Sequence, residues 1–268
     1  MSAQELWKDG RLEDAVESQI AEVKANPSDP ERRYLLFALV CFQGDLEKAA
    51  RQLDAIGIQD ERLQNGTLIY HNLLASEAER RRVHQGDGEP LVPAAELPAL
   101  AARVAAVGAL ARGDAAEAAT RLGEAGEQET AVAFRVDDRE VNGVEDTDEL
   151  LGPNLEIFAG SRYLLLPFDR IRTLEMQEPQ HLLDLLWIPA ELEDTDGTAA
   201  SVHLPALYPD SHEGQVPLRL GRGTEWKEVH GVVRGRGQKV LALNGDGDPE
   251  NDRALLSVRK IERIESGE

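Results

Sequence analysis

The sequence predicts an α+β protein: helical repeats over residues 1–126, then a small β-barrel or strongly bent sheet over residues 127–268. Two observations carry this. Gly10-Arg-Leu-Glu-Asp-Ala15 returns as Gly44-Asp-Leu-Glu-Lys-Ala49 at an offset of 34 residues, which is the period of the tetratricopeptide repeat. Near Glu127 the alanine-rich helical pattern gives way to short runs of Val, Leu and Ile punctuated by Gly and Pro, the signature of short strands and turns.

The elements follow in order. Ser2-Ala-Gln-Glu5 is a capping box that opens a first helix, and Gly10 ends it. Leu12, Ala15, Val16, Ile20 and Val23 recur at helical spacing. Asn26-Pro27-Ser28-Asp29-Pro30 stops that helix and starts another, apolar on every side from Tyr34 to Phe42, which needs neighbours all round it. A fourth helix buries Leu46, Ala49, Ala50 and Leu53. The glycine permits a sharp turn between paired helices, and the alanine five residues later lets them pack closely. A third copy, Gly113-Asp-Ala-Ala-Glu-Ala118, follows a degenerate stretch over residues 64–98 that holds Arg80-Arg81-Arg82. Three to four helix pairs ending near Gly126 result.

Beyond Glu127, Val132, Phe134 and Val136 alternate as a strand does. Leu155–Phe158 and Tyr163–Leu166 flank a hairpin turn, as do Leu185–Leu192 and Thr198–Leu204. Val216–Leu220, Val229–Val233, Lys239–Leu243 and Leu255–Val258 read as further strands. The segment Leu165–Glu175 is echoed by Leu255–Glu265 at an offset of 90 residues. Duplicated half-barrels account for the echo, and so do two similar edge strands. The most apolar stretch, Arg162–Ala190, carries no nucleophile, metal cluster or phosphate loop and reads as core, with Trp187 in it.

The formal net charge is −21, from 50 acidic and 29 basic side chains. Such a surface repels phosphate backbones, so neither nucleic acid nor an anionic membrane is expected as a partner. Cys41 is the sole cysteine, set in an apolar run, and reads as a buried structural thiol. No secretory leader or membrane span is visible, and a soluble cytoplasmic protein is the expectation. Gly231–Gly237 lacks the Lys-Ser/Thr of a P-loop and reads as hairpin glycines. The acidic loop 245–252 departs from EF-hand order and reads as solvated. Six scattered histidines form no metal motif. A non-enzymatic protein without cofactor or metal is expected.

One set of residues carries a family resemblance. It runs through Gly152-Pro-Asn-Leu-Glu156, Gly160-Ser-Arg-Tyr163, Leu166-Pro-Phe168 with Ile171, and Asp184-Leu-Leu-Trp187 with Pro189-Ala190. It continues through Leu204-Pro-Ala-Leu-Tyr-Pro209, Leu220-Gly-Arg222, Trp226, Gly235-Arg-Gly-Gln238 and Asp252-Arg-Ala-Leu-Leu256. In order and spacing these resemble the ImpE/TagJ family of bacterial type VI secretion accessory proteins. The resemblance implies a cytoplasmic adaptor that binds the N-terminal helix of the small contractile-sheath subunit (TssB/VipA type) and assists sheath assembly or recycling. It supplies no catalytic residues. The alternative is a generic tetratricopeptide adaptor that captures an extended peptide or a C-terminal carboxylate, for which Arg80–Arg82 is the one dense basic cluster.

An amphipathic helix is held by laying its apolar face in a groove. The candidate groove residues are Leu6, Trp7, Tyr34 and Phe37 at the open end of the helical stack, and Tyr163 and Trp226 if the seam between the two regions is used. Domain junctions favour concave sites, which ranks the seam first. The oligomeric state is not legible.

Overall fold

The computed structural model describes residues 1–59, 64–93, 97–244 and 249–265. Helix α1 (Ala3–Lys8) opens on the capping box, with Ser2 Oγ accepting from Glu5 N and the Glu5 carboxylate accepting from Ser2 N at 2.7 Å. Helices α2 (Leu12–Ala25), α3 (Pro30–Gln43), α4 (Leu46–Gln59), α5 (Gln64–His84), α6 (Pro98–Ala111) and α7 (Ala115–Gly126) follow. The turns α1/α2, α3/α4 and α6/α7 each place a glycine in the left-handed region, at φ 76°, 79° and 76° for Gly10, Gly44 and Gly113. A side chain at Gly44 would also collide with His212. Ala15, Ala49 and Ala118 are fully buried where the paired helices meet. Three pairs therefore share one device, and the long α5, between the second and third, packs on α4 and on β5 without such a glycine turn. The run Leu36–Phe42 of α3 is buried all round, as an unbroken apolar helix requires.

The rest of the chain is antiparallel sheet. Strands β1 (Phe134–Val136), β2 (Arg139–Val141), β3 (Val144–Asp146), β4 (Asn154–Ala159), β5 (Arg162–Pro167), β6 (Ile171–Met176), β7 (Trp187–Asp194) and β8 (Ala199–Pro205) come first. After a short helix α8 (Val216–Arg219) come β9 (Thr224–Val229), β10 (Val232–Gly237), β11 (Val240–Leu243), β12 (Arg253–Ala254) and β13 (Lys260–Arg263). The main sheet runs β2-β1-β13-β6-β7-β8-β4-β5; β12-β11-β3 and β10-β9 form smaller sheets. The main sheet is open, which removes the barrel from the two expected architectures and leaves the bent sheet. Its β5 edge is covered by a strap: Leu91 donates to Tyr163 O at 2.9 Å and accepts from Leu165 N at 3.0 Å.

Three expected strands differ. Val216–Leu220 is α8, because Pro217 falls in the first helical turn, where its missing N–H is not needed. Val229–Val233 spans the turn of the β9–β10 hairpin, with His230 and Gly231 both at positive φ. Leu255–Val258 is a 3-10 turn whose spacing of three buries Leu255 and Val258 together. The segments that echo each other both read as a 3-10 turn leading into a strand, and those strands, β6 and β13, pair with one another in the middle of the sheet. They are not edge strands.

Alternation along β4 and β5 explains why this stretch is so apolar. Leu155, Ile157 and Leu166 face an all-β core with Val144, Leu241 and Ile261. Phe158, Tyr163 and Leu165 face the helices and join their core with Trp187, Leu207 and Tyr208. Both faces of the hairpin are covered, so nearly every position must be apolar or internally paired.

Replacing Ala49 by Leu forces extra methylenes into the α3/α4 crossing and should cost about 1–3 kcal/mol. Chemical denaturation measures it, and an unchanged midpoint would refute close packing there. Trp187→Ala should cost about 3–5 kcal/mol, since the indole is core.

Candidate functional site

The seam between helices and sheet is made of two unlike parts, a buried ionic network and an apolar groove. The network centres on Glu156 of β4. Its carboxylate accepts two bonds from Arg80 of α5, at 2.8 and 2.6 Å, and one from Tyr163 Oη at 2.7 Å. Lys239 Nζ lies 2.8 Å from Glu156 and 2.7 Å from Asp146. Arg80 also donates to Glu77 at 3.2 Å and to Leu207 O at 2.8 Å. Arg234 pairs with Asp148 at 2.8 Å, and Tyr208 Oη donates to Asp146 at 2.8 Å. Side chains from α5, β3, β4, β5 and β10 thus converge where water is excluded, and each charge faces an opposite one.

The titration of these groups follows. Burial pushes the Glu156 carboxyl up, but Arg80 and Lys239 outweigh it and hold it well below the ordinary carboxylate range. Burial raises Asp146 despite Lys239. Burial lowers His84, which sits with Nε2 3.2 Å from Glu156 and Nδ1 3.4 Å from Arg234. An arginine can only donate, so Nδ1 accepts and Nε2–H donates: His84 is the neutral tautomer.

The groove lies beside this network. It has a volume of ≈ 390 Å³ and is lined by Leu97 and Leu100 at the start of α6, by Val132 and Phe134 entering β1, and by Val144 and Phe168. A shallower trough shares Ala131, Val132 and Asp169 with it and adds Arg170, Arg172 and Arg263. A third, more polar groove of ≈ 700 Å³ opens at the N-terminal end, where Tyr34, Leu35 and Leu182 lie among Gln4, Gln19, Glu22 and Arg32. The seam groove is the most apolar of these, although Gln128, Glu129, Glu145, Asn154 and Asp169 also line it.

The geometry can be set against known proteins. The model of the ImpE protein family matches residues 138–262. Over 98% of this chain and 91% of its own length, the type VI secretion system accessory component TagJ of Pseudomonas aeruginosa is 34% identical. The chain belongs to the ImpE/TagJ family. A crystal structure of protein VPA1032 from Vibrio parahaemolyticus has the same fold, with a TM-score of 0.90, 24% identity and 98% of each chain covered.

Within this ImpE/TagJ fold the six candidate residues separate. Leu6, Phe37 and Tyr163 are buried; Tyr163 gives its hydroxyl to the network. Trp7 packs on Phe42 and lies under the Arg222 guanidinium, 5.1 Å from its ring centroid. Tyr34 shares a hydrogen bond of 2.9 Å with Tyr70, and Phe37 meets the same ring edge-on. Trp226 is 44% exposed and stands edge-on to Tyr208. Helix α3 brings Tyr34 and Phe37 together. None of the six lines the seam groove. Its residues had one sequence signal, the alternation of Val132 and Phe134 just past the composition change. The 3-10 turn that presents Phe168 had none.

Arg80–Arg82 does not form the carboxylate clamp of the adaptor alternative. Arg80 is buried against Glu156 and Glu77, and Arg81 is bonded to Glu77 and Gly44 O; only Arg82 is exposed. Cys41 is buried, and burial pushes its thiol well up. Among the described residues no cluster of three or more His, Cys, Asp or Glu is placed to hold a metal, and no helix is long and apolar enough to cross a membrane. Residues 245–248 of the acidic loop lie outside the described residues.

Arg80→Met leaves Glu156 buried without its main cation and Glu77 with Arg81 alone, and should cost about 3–5 kcal/mol by denaturant titration. Acid should weaken the fold in two stages. Burial lowers His84, His203 and His212 below 6.5, so only the unfolded chain takes up these protons. Their stabilisation is complete above pH 6.5 and is lost as pH falls below it. Glu156 adds a loss in the carboxylate range, opposed there by Asp146. Melting temperature from pH 8 to 5 tests the first stage; a rise on acidification would contradict it.

Proposed function

We propose that this protein is a non-enzymatic, cytoplasmic accessory component of a bacterial type VI secretion system. In this reading it holds the N-terminal amphipathic helix of the small contractile-sheath subunit and assists sheath assembly or recycling. The observation that carries it is the 34% identity to TagJ over nearly the whole chain. The seam groove supports the mode of binding, because an apolar channel between helices and sheet accepts the i, i+3, i+4, i+7 face of one helix. Residues 1–126 and 127–268 act as two domains joined by the ionic network, and the groove runs along their junction. Tyr34 marks the competing N-terminal groove, and Trp226 an exposed anchor on a separate hairpin.

Calorimetry with the sheath subunit's N-terminal segment tests this. Val132→Asp, at a partly exposed position in the groove wall, should weaken binding at least about tenfold, whereas Leu35→Asp in the N-terminal groove should leave it unchanged. Affinity should vary little with salt, because apolar contacts dominate. A segment that does not bind, or binds Val132→Asp like wild type, would remove the seam groove from consideration.

A further inference from the structure

The hairpin β9–β10 leaves one edge unpaired. Its turn is the two-residue kind, His230 and Gly231 at φ 53° and 82°, closed by the pair Val229–Val232. In such a hairpin the closing pair exchanges hydrogen bonds and the pattern then alternates. Val229, Lys227 and Glu225 therefore direct their backbone groups at β10. Thr224, Trp226 and Glu228 direct theirs outward. The other edge of β10 obeys the same phase: Val233 O accepts from Glu149 N, and Gly235 N donates to Asp148. The outward groups of β9 have no bonded partner among the described residues. Glu225, Trp226, Lys227 and Glu228 are all exposed in succession.

We infer that β9 pairs with β9 of a second copy of this chain, antiparallel about a two-fold axis through Trp226. The charges select this register. With Trp226 opposite the partner's Trp226, Glu225 lies opposite the partner's Lys227, and Lys227 opposite the partner's Glu225. Both are non-hydrogen-bonded pairs, the closer kind for side chains. The neighbouring registers with the same backbone phase place Lys227 against the partner's Lys227, or Glu225 against the partner's Glu225, and both repel. Charged residues on an edge strand ordinarily guard against pairing. Here the order Glu-Trp-Lys is self-complementary about its centre, so it permits one register and blocks the next. Trp226 braces the centre, its ring set on Tyr208, and Tyr208 is itself fixed by Asp146 and by Lys239 over its face. Gly235, directly opposite Trp226, leaves room for that ring, since any side chain there would collide with Tyr208. The result is a four-stranded sheet across an isologous interface.

One short strand from each copy makes a small interface, so the dimer forms in the micromolar range, on the order of 10 µM. Sedimentation of the full chain from about 1 to 200 µM should show the mass rising from 29.4 kDa toward twice that value. Lys227→Glu and Glu225→Lys should each weaken self-association at least about tenfold, and an equimolar mixture of the two should restore it as a heterodimer, because every facing pair again has opposite signs. Both positions are exposed, and unchanged melting temperatures confirm folding. A wild-type chain that stays at 29.4 kDa throughout overturns the inference. So do single variants that associate like wild type, or a mixture that fails to recover. Loss of sheath-segment binding by Lys227→Glu would assign the edge to that segment instead and overturn the inference as well.

Discussion

Everything about the seam depends on one carboxylate. Glu156 lies inside the protein on a strand covered on both faces, and an isolated charge there would be untenable. Arg80 and Lys239 make it tenable, one from the helical region and one from the sheet. Lys239–Asp146 and Arg234–Asp148 close within the sheet, whereas Arg80 crosses the seam to reach Glu156. The arrangement adds little net energy compared with an apolar core of equal volume, since desolvation offsets most of the attraction. Its effect is geometric: the fork of Arg80 donates to both oxygens of Glu156 in one orientation, which fixes how α5 sits on β4.

The fold was legible wherever the physical signal is local. Glycine turns with an alanine five residues on, the capping box at Ser2–Glu5, and hairpins flanked by alternating aliphatics all correspond to elements of the structure. The misreadings share a cause. In Val216–Leu220 and Leu255–Val258, short apolar runs fit both a strand and one helical turn, and only tertiary packing decides between them. The strand β9 was missed for the opposite reason: it is exposed and mostly polar, so it carries no hydrophobic period.

The site was much less legible. Large aromatics attract attention in a sequence, yet Phe37 and Tyr163 went into the core and the hydrogen-bond network. Groove residues are ordinary aliphatics made special only by what surrounds them. Leu97 and Phe168 are far apart in sequence and meet through the sheet topology. The basic run at Arg80–Arg82 shows the same limit. As text it is a cationic patch; in space two of its members are already neutralised.

The clamp on the first helix bears on how the protein is made. Arg222 donates to the last carbonyls of α1, at Trp7 O and Lys8 O, and lies over the Trp7 ring, while Arg219 reaches Glu13. These partners are separated by more than 200 residues. During synthesis more than 200 residues must follow α1 before its end is covered. Arg80 likewise waits for Glu156 and Lys239. The helical region therefore leaves the ribosome with a charge meant for the interior and an apolar face still open. Such long-range closure slows folding and exposes the nascent chain to chaperones. The end of α1 is locked only once Arg222 has been made.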